Sequence, residues 1–430
     1  MEKINIFWFR RDLRIEDNTG LYHSFQEDLH VLPLFIFDSE ILDELPDRKD
    51  ARVNFIYNQI SILYKQFKGA FLIKYGIPLD VIKQVIAEYP VSTVFANHDY
   101  EPYAIKRDSE VSDFLNSNGV RFHTFKDQVI FEKNEVVSPS GDPYKIFTPY
   151  KKRWLQHLDQ KKLQNYNSSE IINHTKNIDP LPFPSLKDLN FDKSEIPVPD
   201  LNVKDELIRK YSEARNFPAQ NGTSRLGIHL RFGTVSIRKL VSRAWQLNET
   251  WLNELIWREF YMMVLFHNPQ VVNKAFKAKF DRIPWRNNRE DFEKWCQGTT
   301  GYPLVDAGMR EMNATGFMHN RVRMVAASFL TKHLLIDWRW GEAYFAQKLL
   351  DYELSSNNGG WQWAAGTGTD AQPYFRIFNP TTQAQKFDPH NVYINKWIPE
   401  INTDSYPEPI IEHNSARERA LSLFKKVLNK

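Results

Sequence analysis

The period of apolar positions changes partway along the chain. Over residues 1–130, short apolar runs alternate with amphipathic stretches. INIFWF (4–9), VLPLFIF (31–37), AFLIKY (70–75), TVFAN (93–97) and RFHTF (121–125) are rich in β-branched and aromatic residues and read as strands. Residues 51–67 and 104–119 carry helical spacing, and Gly119 stands where a C-cap belongs. Strands alternating with helices predict an α/β domain around a parallel five-stranded sheet, Rossmann-like in layout. No G-x-G-x-x-G follows the first strand; FWFRRDLRIEDN (7–18) stands there, so the dinucleotide fingerprint is absent.

Residues 131–205 read as an interdomain linker. Their later part carries Pro180, Pro182, Pro184, Pro197 and Pro199 among Asn, Asp, Ser and Lys, a composition that favours extended backbone. From residue 206 to 430 the pattern is helical almost throughout, as in VSIRKLVSRAWQL and WLNELIWREFYMMVLF. The expected layout is an α/β domain (1–130), the linker, and a larger all-helical domain (206–430). No internal repeat interrupts it.

Composition narrows the function classes. The 430 residues are 42% hydrophobic and 25% charged, ordinary for a globular protein. No apolar run approaches the ~18 residues of a membrane helix, and the N-terminus lacks a signal-peptide pattern. The single cysteine, Cys296, excludes an internal disulfide and a cysteine metal site. A soluble protein of a reducing, cytoplasmic compartment is expected. The net charge of +3 means that a nucleic-acid partner would need a local basic patch. Ten of the twelve tryptophans lie between Trp245 and Trp397, which suits either an aromatic core or a site that stacks bases or moves electrons.

Four segments concentrate candidate chemistry. On a helix, Trp251, Glu254 and Arg258 share one face, with Trp257 close by; a surface Glu–Arg pair would account for the charges but not for the tryptophans. In TGFMHNRVRMVAASFL (315–330), Asn320, Arg323 and Met324 share a face flanked by His319 and Arg321, which could equally be a solvated basic helix end. DYELSSNNGGWQWAAGTGTDAQPYFRIFNP (351–380) looks poor as a helix or strand interior, and close approach of the backbone to a flat cofactor is one explanation. GTGTDA (366–371) matches G-x-G-x-x-A, but follows no strand of a βαβ unit and is a false positive. NGTSRLG (221–227) offers small hydroxyls and N–H groups at a helix start, suited to a phosphate or to an ordinary cap.

Taken in order, GTSRLG, WLNELIWREFY, TGYPLVDAGMR, TGFMHNRVRM and NNGGWQWAAGTGTDAQPYFRIFNPTTQAQKFD resemble the photolyase/cryptochrome flavoproteins, most of all the class I cyclobutane pyrimidine dimer photolyases. FWFRRDLRIEDN resembles the family's opening, so the likeness spans nearly the whole chain. The resemblance implies FAD in a U shape within the helical domain. Tyr211, Thr223, Ser224 and Leu226 would line its phosphate and ribose side with Arg258 near, and Trp251 and Glu353 would add cofactor contacts. Asn320, Arg323, Asp351 and Asn357 would surround the isoalloxazine, Arg323 pairing with Asp351 and Asn357 facing N5, where a neutral amide favours the anionic reduced form. The partner implied is UV-damaged DNA, bound by a monomer with the dimer flipped out of the duplex. Trp257 and Trp363 would wall the dimer with Met324 beside them. Glu254 would bond its pyrimidine edge, Asn320 would help hold it, and Arg215 and Arg321 would take DNA phosphates. The activity implied is a light-driven carbon–carbon lyase: excited reduced FAD lends an electron, the cyclobutane ring splits, and the electron returns. Trp361, Trp338 and Trp285 match the family's electron relay, and no metal is required.

Four positions depart from the family pattern. Phe317 replaces a tryptophan, Tyr352 and Glu353 alter DGDL to DYEL, and Gly227 stands where Ser is common. Asn320 and Met324 argue against repair of (6-4) products. Asn97 and Glu101 lie where a folate-binding relative uses polar side chains, yet a Cys-Lys pair of that relative becomes Val272 and Asn273. A second, antenna chromophore could therefore be folate, deazaflavin or none. The competing readings are a cryptochrome-type blue-light receptor, whose long regulatory tail has no counterpart after Pro399, and a flavin oxidoreductase, for which no nicotinamide site is evident.

Overall fold

The computed structural model describes residues 2–428 and divides into two compact units. Of the described residues, the first unit contains 2–135, 156–201 and 226–246, and the second contains 136–155, 202–225 and 247–428. This partition differs from the boundaries read in the sequence. Residues 156–201, within the supposed linker, pack into the first unit because Ile171, Leu189 and Phe191 are buried in its core. Residues 226–246 join it as well: Arg238 bonds Asp17 at 3.0 Å and Asp127 at 2.9 Å.

Five parallel strands form the sheet of the first unit: β1 (Ile4–Phe9), β2 (His30–Asp38), β3 (Leu72–Gly76), β4 (Val91–Asn97) and β5 (Arg121–Phe125), in the order β3-β2-β1-β4-β5. β1 is buried along its whole length because both faces are covered. Phe7 and Phe9 pack with Phe35, Phe37 and Phe95 on one side, while Ile4, Ile6 and Trp8 pack with Leu32, Leu34 and Val94 on the other. The expected helices appear at Ala51–Gln66 and Pro102–Ser117, and Gly119 turns the chain at φ +70. The short Thr19–Ser24 helix after β1 escaped the pattern; Asn18 caps it by accepting from the Leu21 N–H at 3.1 Å.

The second unit is helical. Four of its helices, Glu249–His267, Asn320–Ser328, Trp338–Lys348 and Leu354–Ala365, carry most of the candidate chemistry. The last one corrects the sequence reading of 351–380, for LSSNNGGWQWAA is a helix. Glu353 caps its start by accepting from the Ser356 N–H, and Gly366 ends it at φ +81. Gly359 is required by packing: a Cβ there would lie 2.2 Å from the Tyr261 ring. Among the described residues, no helix is long and apolar enough to cross a membrane, and no cluster of His, Cys, Asp or Glu could hold a metal ion.

Candidate active site

Helical periodicity assembles the site. Asn248 caps the Glu249–His267 helix through the Trp251 N–H. One face of that helix buries Leu252, Leu255, Ile256 and Met263, while Asn253, Glu254, Trp257, Arg258 and Tyr261 line a cavity of ≈ 500 Å³. His319 caps the Asn320–Ser328 helix, which contributes Asn320, Arg323 and Met324. The Leu354–Ala365 helix contributes Ser356, Asn357, Gly360, Trp361 and Trp363 to the same wall, preceded by Asp351, Tyr352 and Glu353. Gly360 has open space where its Cβ would be.

The charged groups are arranged in pairs. Arg323 bonds both carboxylate oxygens of Asp351, at 3.1 and 2.9 Å, and its Nε donates to the Met318 carbonyl at 2.7 Å. Arg215 pairs with Glu254 at 2.5 Å. Burial raises the Glu254 carboxyl pKa, and Arg215 offsets only part of the rise. Arg321 donates to Asn216 at 2.7 Å and lies over the Phe387 ring. His319 is pushed down to about 4 by burial and by the nearby Arg323, Arg321, Arg225 and Arg215, so it stays neutral amid four guanidinium groups. Phe317, the residue replacing a tryptophan, supports the Arg225 guanidinium at 4.2 Å from its ring centre.

Asn357 is oriented by a residue that the sequence reading missed. Its Nδ2 donates to the Glu342 carboxylate at 2.8 Å and to the Glu342 carbonyl at 3.1 Å. Burial raises the Glu342 carboxyl pKa, with Asn357 countering in part.

The cavity thus brings together Arg215, Glu254, Trp257, Arg258, Asn320, Arg323, Met324, Asp351, Glu353, Asn357, Trp361 and Trp363 from the sequence-derived set. Several others lie apart from this lining. Trp251 is buried in the core, because the helix face toward the cavity runs through Asn253, Trp257 and Tyr261. Tyr211 is half-buried beneath Arg215. Thr223 is half-buried, and Ser224 lines a different concavity with Lys204, Lys210 and Gly222. Leu226 is buried at the head of a short helix in the first unit. Glu353 spends one carboxylate oxygen on Ser355, Ser356 and its own helix start. Trp338 is buried and Trp285 half-buried against the same core as Trp361, whose ring meets Phe345 at 4.9 Å and Trp295 at 5.9 Å.

Asn97 and Glu101 belong to the first unit, and their polar atoms are already engaged. Asn97 donates to Asp12 at 2.6 Å and Asn18 at 2.8 Å, and accepts from the Gly20 N–H at 2.8 Å. Glu101 accepts from Arg11 at 3.0 Å and from Arg231 at 2.5 Å. Phe147, Asn253, Tyr261 and Phe345 are lining residues that the sequence reading missed. Tyr261 lies one helical turn beyond Trp257 and was within reach of a periodicity argument; Phe147 had no such signal.

The geometry suits a flat conjugated ligand with polar edges. Aromatic rings supply much of the lining, and two buried polar atoms of lining residues, Asn253 Oδ1 and Trp361 Nε1, lack a partner. Residues 251–404 match the family described as the FAD binding domain of DNA photolyase, and residues 5–168 match the DNA photolyase family. The deoxyribodipyrimidine photo-lyase of Halobacterium salinarum is 35% identical over 98% of this chain and 99% of its own. The class III photolyase of Agrobacterium tumefaciens superposes with a TM-score of 0.88 at 30% identity, covering 100% of this chain and 98% of that one. The Sulfolobus tokodaii photolyase, described as having two FAD molecules with the implication of a novel light-harvesting cofactor, gives a TM-score of 0.80 at 32% identity, covering 98% of this chain and 99% of that one. With the family's motifs gathered around one cavity and likeness running the length of the sequence, this chain belongs to the photolyase/cryptochrome family.

Proposed function

We propose that the protein is a light-driven DNA repair enzyme that splits cyclobutane pyrimidine dimers, using FAD held in the helical unit. One observation carries the reading: Glu254, Trp257, Asn320, Met324, Asn357 and Trp363, drawn from three separated segments, line a single cavity. The lining also fits FAD, through its aromatic walls, the two unpartnered polar atoms and the Arg323–Asp351 pair. When bound and reduced, FAD supplies the photoexcited electron donor for ring splitting.

The chain's own residues bind, orient and shield. Asn357 holds Glu342 through its Nδ2, so its Oδ1 is left over and would accept a hydrogen bond from an N–H of the reduced flavin. Arg323, fixed by Asp351 and Met318, presents a positive charge whose position cannot drift. Trp257 and Trp363 grip the extruded dimer by packing their flat rings against its apolar, saturated cyclobutane side, a contact that does not depend on which two pyrimidines are fused. Glu254, held through one oxygen by Arg215, presents its carboxyl group at the pyrimidine edge. Arg321, bonded to the neutral Asn216, and Arg215, beyond its pair with Glu254, would take DNA phosphates, a local contribution that the net charge of +3 does not make overall. Trp361 is the cavity-lining member of the relay with Trp338 and Trp285. We read the working form as a monomer in a reducing compartment, where Cys296, pushed up to about 12 by burial and Glu293, stays a thiol.

The test uses reduced, flavin-loaded protein and an oligonucleotide with one thymine dimer. Recovery of thymine absorbance under blue light, absent in a dark control, is expected. Light absorption without recovery would overturn the repair reading in favour of a receptor.

A further inference from the structure

The GTGTDA stretch has no part in the function proposed above, yet it makes specific contacts. It is the turn by which the chain leaves the Leu354–Ala365 helix, just after Trp363. Two hydrogen bonds run from it to the residues that open the Phe147–His157 helix. Thr369 Oγ1 donates to the Lys145 carbonyl at 2.6 Å, and Asp370 accepts from the Phe147 N–H at 3.1 Å. The second bond satisfies a first-turn N–H that has no partner within its own helix, from a carboxylate 223 residues away. Phe147 lies face to face with Trp257, with centroids 3.7 Å apart and planes 8° from parallel. Phe260 sets its ring edgewise to both, 5.8 Å from Phe147 and 5.6 Å from Trp257.

A continuous line of contacts therefore joins Trp363, the turn, Asp370 with Thr369, Phe147 and Trp257. We infer that Phe147 is a positioning residue for Trp257, and that Thr369 and Asp370 clamp it, so the GTGTDA turn sets the separation of the two walls that hold the dimer. This rests on the reading of Trp257 and Trp363 as those walls. The physical need is geometric. A ring that stacks on a ligand through one face and has nothing on the other can swing about its χ angles, and a binding constellation tolerates only about 0.5 Å of play. Phe147 covers one face of Trp257 and so limits its swing, while its own backbone is tied to the turn that follows the opposite wall.

The experiment measures dissociation constants of flavin-loaded protein for dimer-containing and undamaged oligonucleotides. The variants are Trp257→Ala, Phe147→Leu, their double mutant, Phe147→Tyr, Asp370→Ala and Asp370→Asn. Phe147→Leu should weaken dimer binding about 3- to 10-fold, the span of one lost aromatic pair. It should leave undamaged DNA unaffected and add nothing once Trp257 is Ala. Phe147→Tyr keeps the stack and should restore affinity; Asp370→Ala should weaken dimer binding and Asp370→Asn, which retains an acceptor, should restore it. Additive losses in the double mutant would overturn the inference, as would a Phe147→Leu or Asp370→Ala protein that binds the dimer normally. Should Trp257→Ala itself leave dimer affinity unchanged, the wall reading fails first, an outcome distinct from an inert Phe147→Leu beside a damaging Trp257→Ala.

Discussion

Asn97 and Asn357 are amides at the ends of regular elements, one closing β4 and the other in the first turn of the Leu354–Ala365 helix, and their surroundings differ in kind. Asn97 is 3% exposed, and both amide atoms are bonded to Asp12, Asn18 and Gly20. Asn357 is held at one end only, by Glu342, and lines the cavity with the other. The same contrast separates larger groups of residues. In the first unit, Arg14, Asp17, Asp127 and Arg238 form a buried, mutually neutralising network. In the second, Arg323 and Asp351 pair at the edge of open volume, beside polar atoms that have no protein partner. Polar burial alone does not mark a site. A saturated network is scaffold, because no bonding capacity is left for a ligand; an oriented but unsaturated one can bind.

Breaking the saturated network should have the largest effect. Asp127→Ala leaves Arg14 and Arg238 without their shared carboxylate and should cost about 3–5 kcal/mol in denaturant unfolding. Burial alone would raise the Asp127 carboxyl, but Arg14 and Arg238 outweigh it and hold it well below the ordinary range. Its contribution is therefore fully present above the pKa of an unfolded aspartate and lost as pH falls through the lower folded value. An acid-unfolding midpoint that is the same with and without Asp127 would remove it from the scaffold.

On the cavity side, Trp257→Ala should weaken dimer binding by about 1–3 kcal/mol, the range for a lost stacking ring, in protein that is still folded. Unaltered affinity would move the dimer pocket elsewhere. Asn97→Ala sharpens the contrast further: it should lower stability by about 1–3 kcal/mol through the buried Asp12 and Asn18 groups it abandons, while the absorption spectrum of purified protein stays as it was. Loss of a near-ultraviolet band in that variant would return Asn97 to the antenna reading. Smallest in equilibrium terms is Trp361→Phe, which should slow photoreduction of oxidised flavin yet spare repair by chemically reduced enzyme. Equal loss of both would refute the relay.

Much of this was legible before any tertiary contact was considered, where the signal is local. β1 and β5 fall at their expected positions, and in β1 the apolar run between polar segments encodes a strand covered on both faces. Glu254, Trp257 and Arg258 share a wall because residues three and four apart on a helix must. Periodicity failed at Trp251, which obeys the same spacing but turns into the core, and at LSSNNGGWQWAA, whose glycines argue against a helix until Tyr261 is seen to need the space.

The parallel sheet, the helical second half and the family are all legible in the primary structure, since each is written in spacings of a few residues or in ordered motifs. The three-dimensional fold was needed to show that residues 156–201 and 226–246 pack with the sheet, that the hydrogen bonds of Asn97 are spent, and that Glu342 orients Asn357. It also decided that a carboxylate at 370 caps a helix starting at 147 and so reaches Trp257. The reason is one of range. A pattern of faces constrains what a residue can point toward within its own element, whereas its bonding partner is chosen by whichever distant segment the fold brings within about 3 Å.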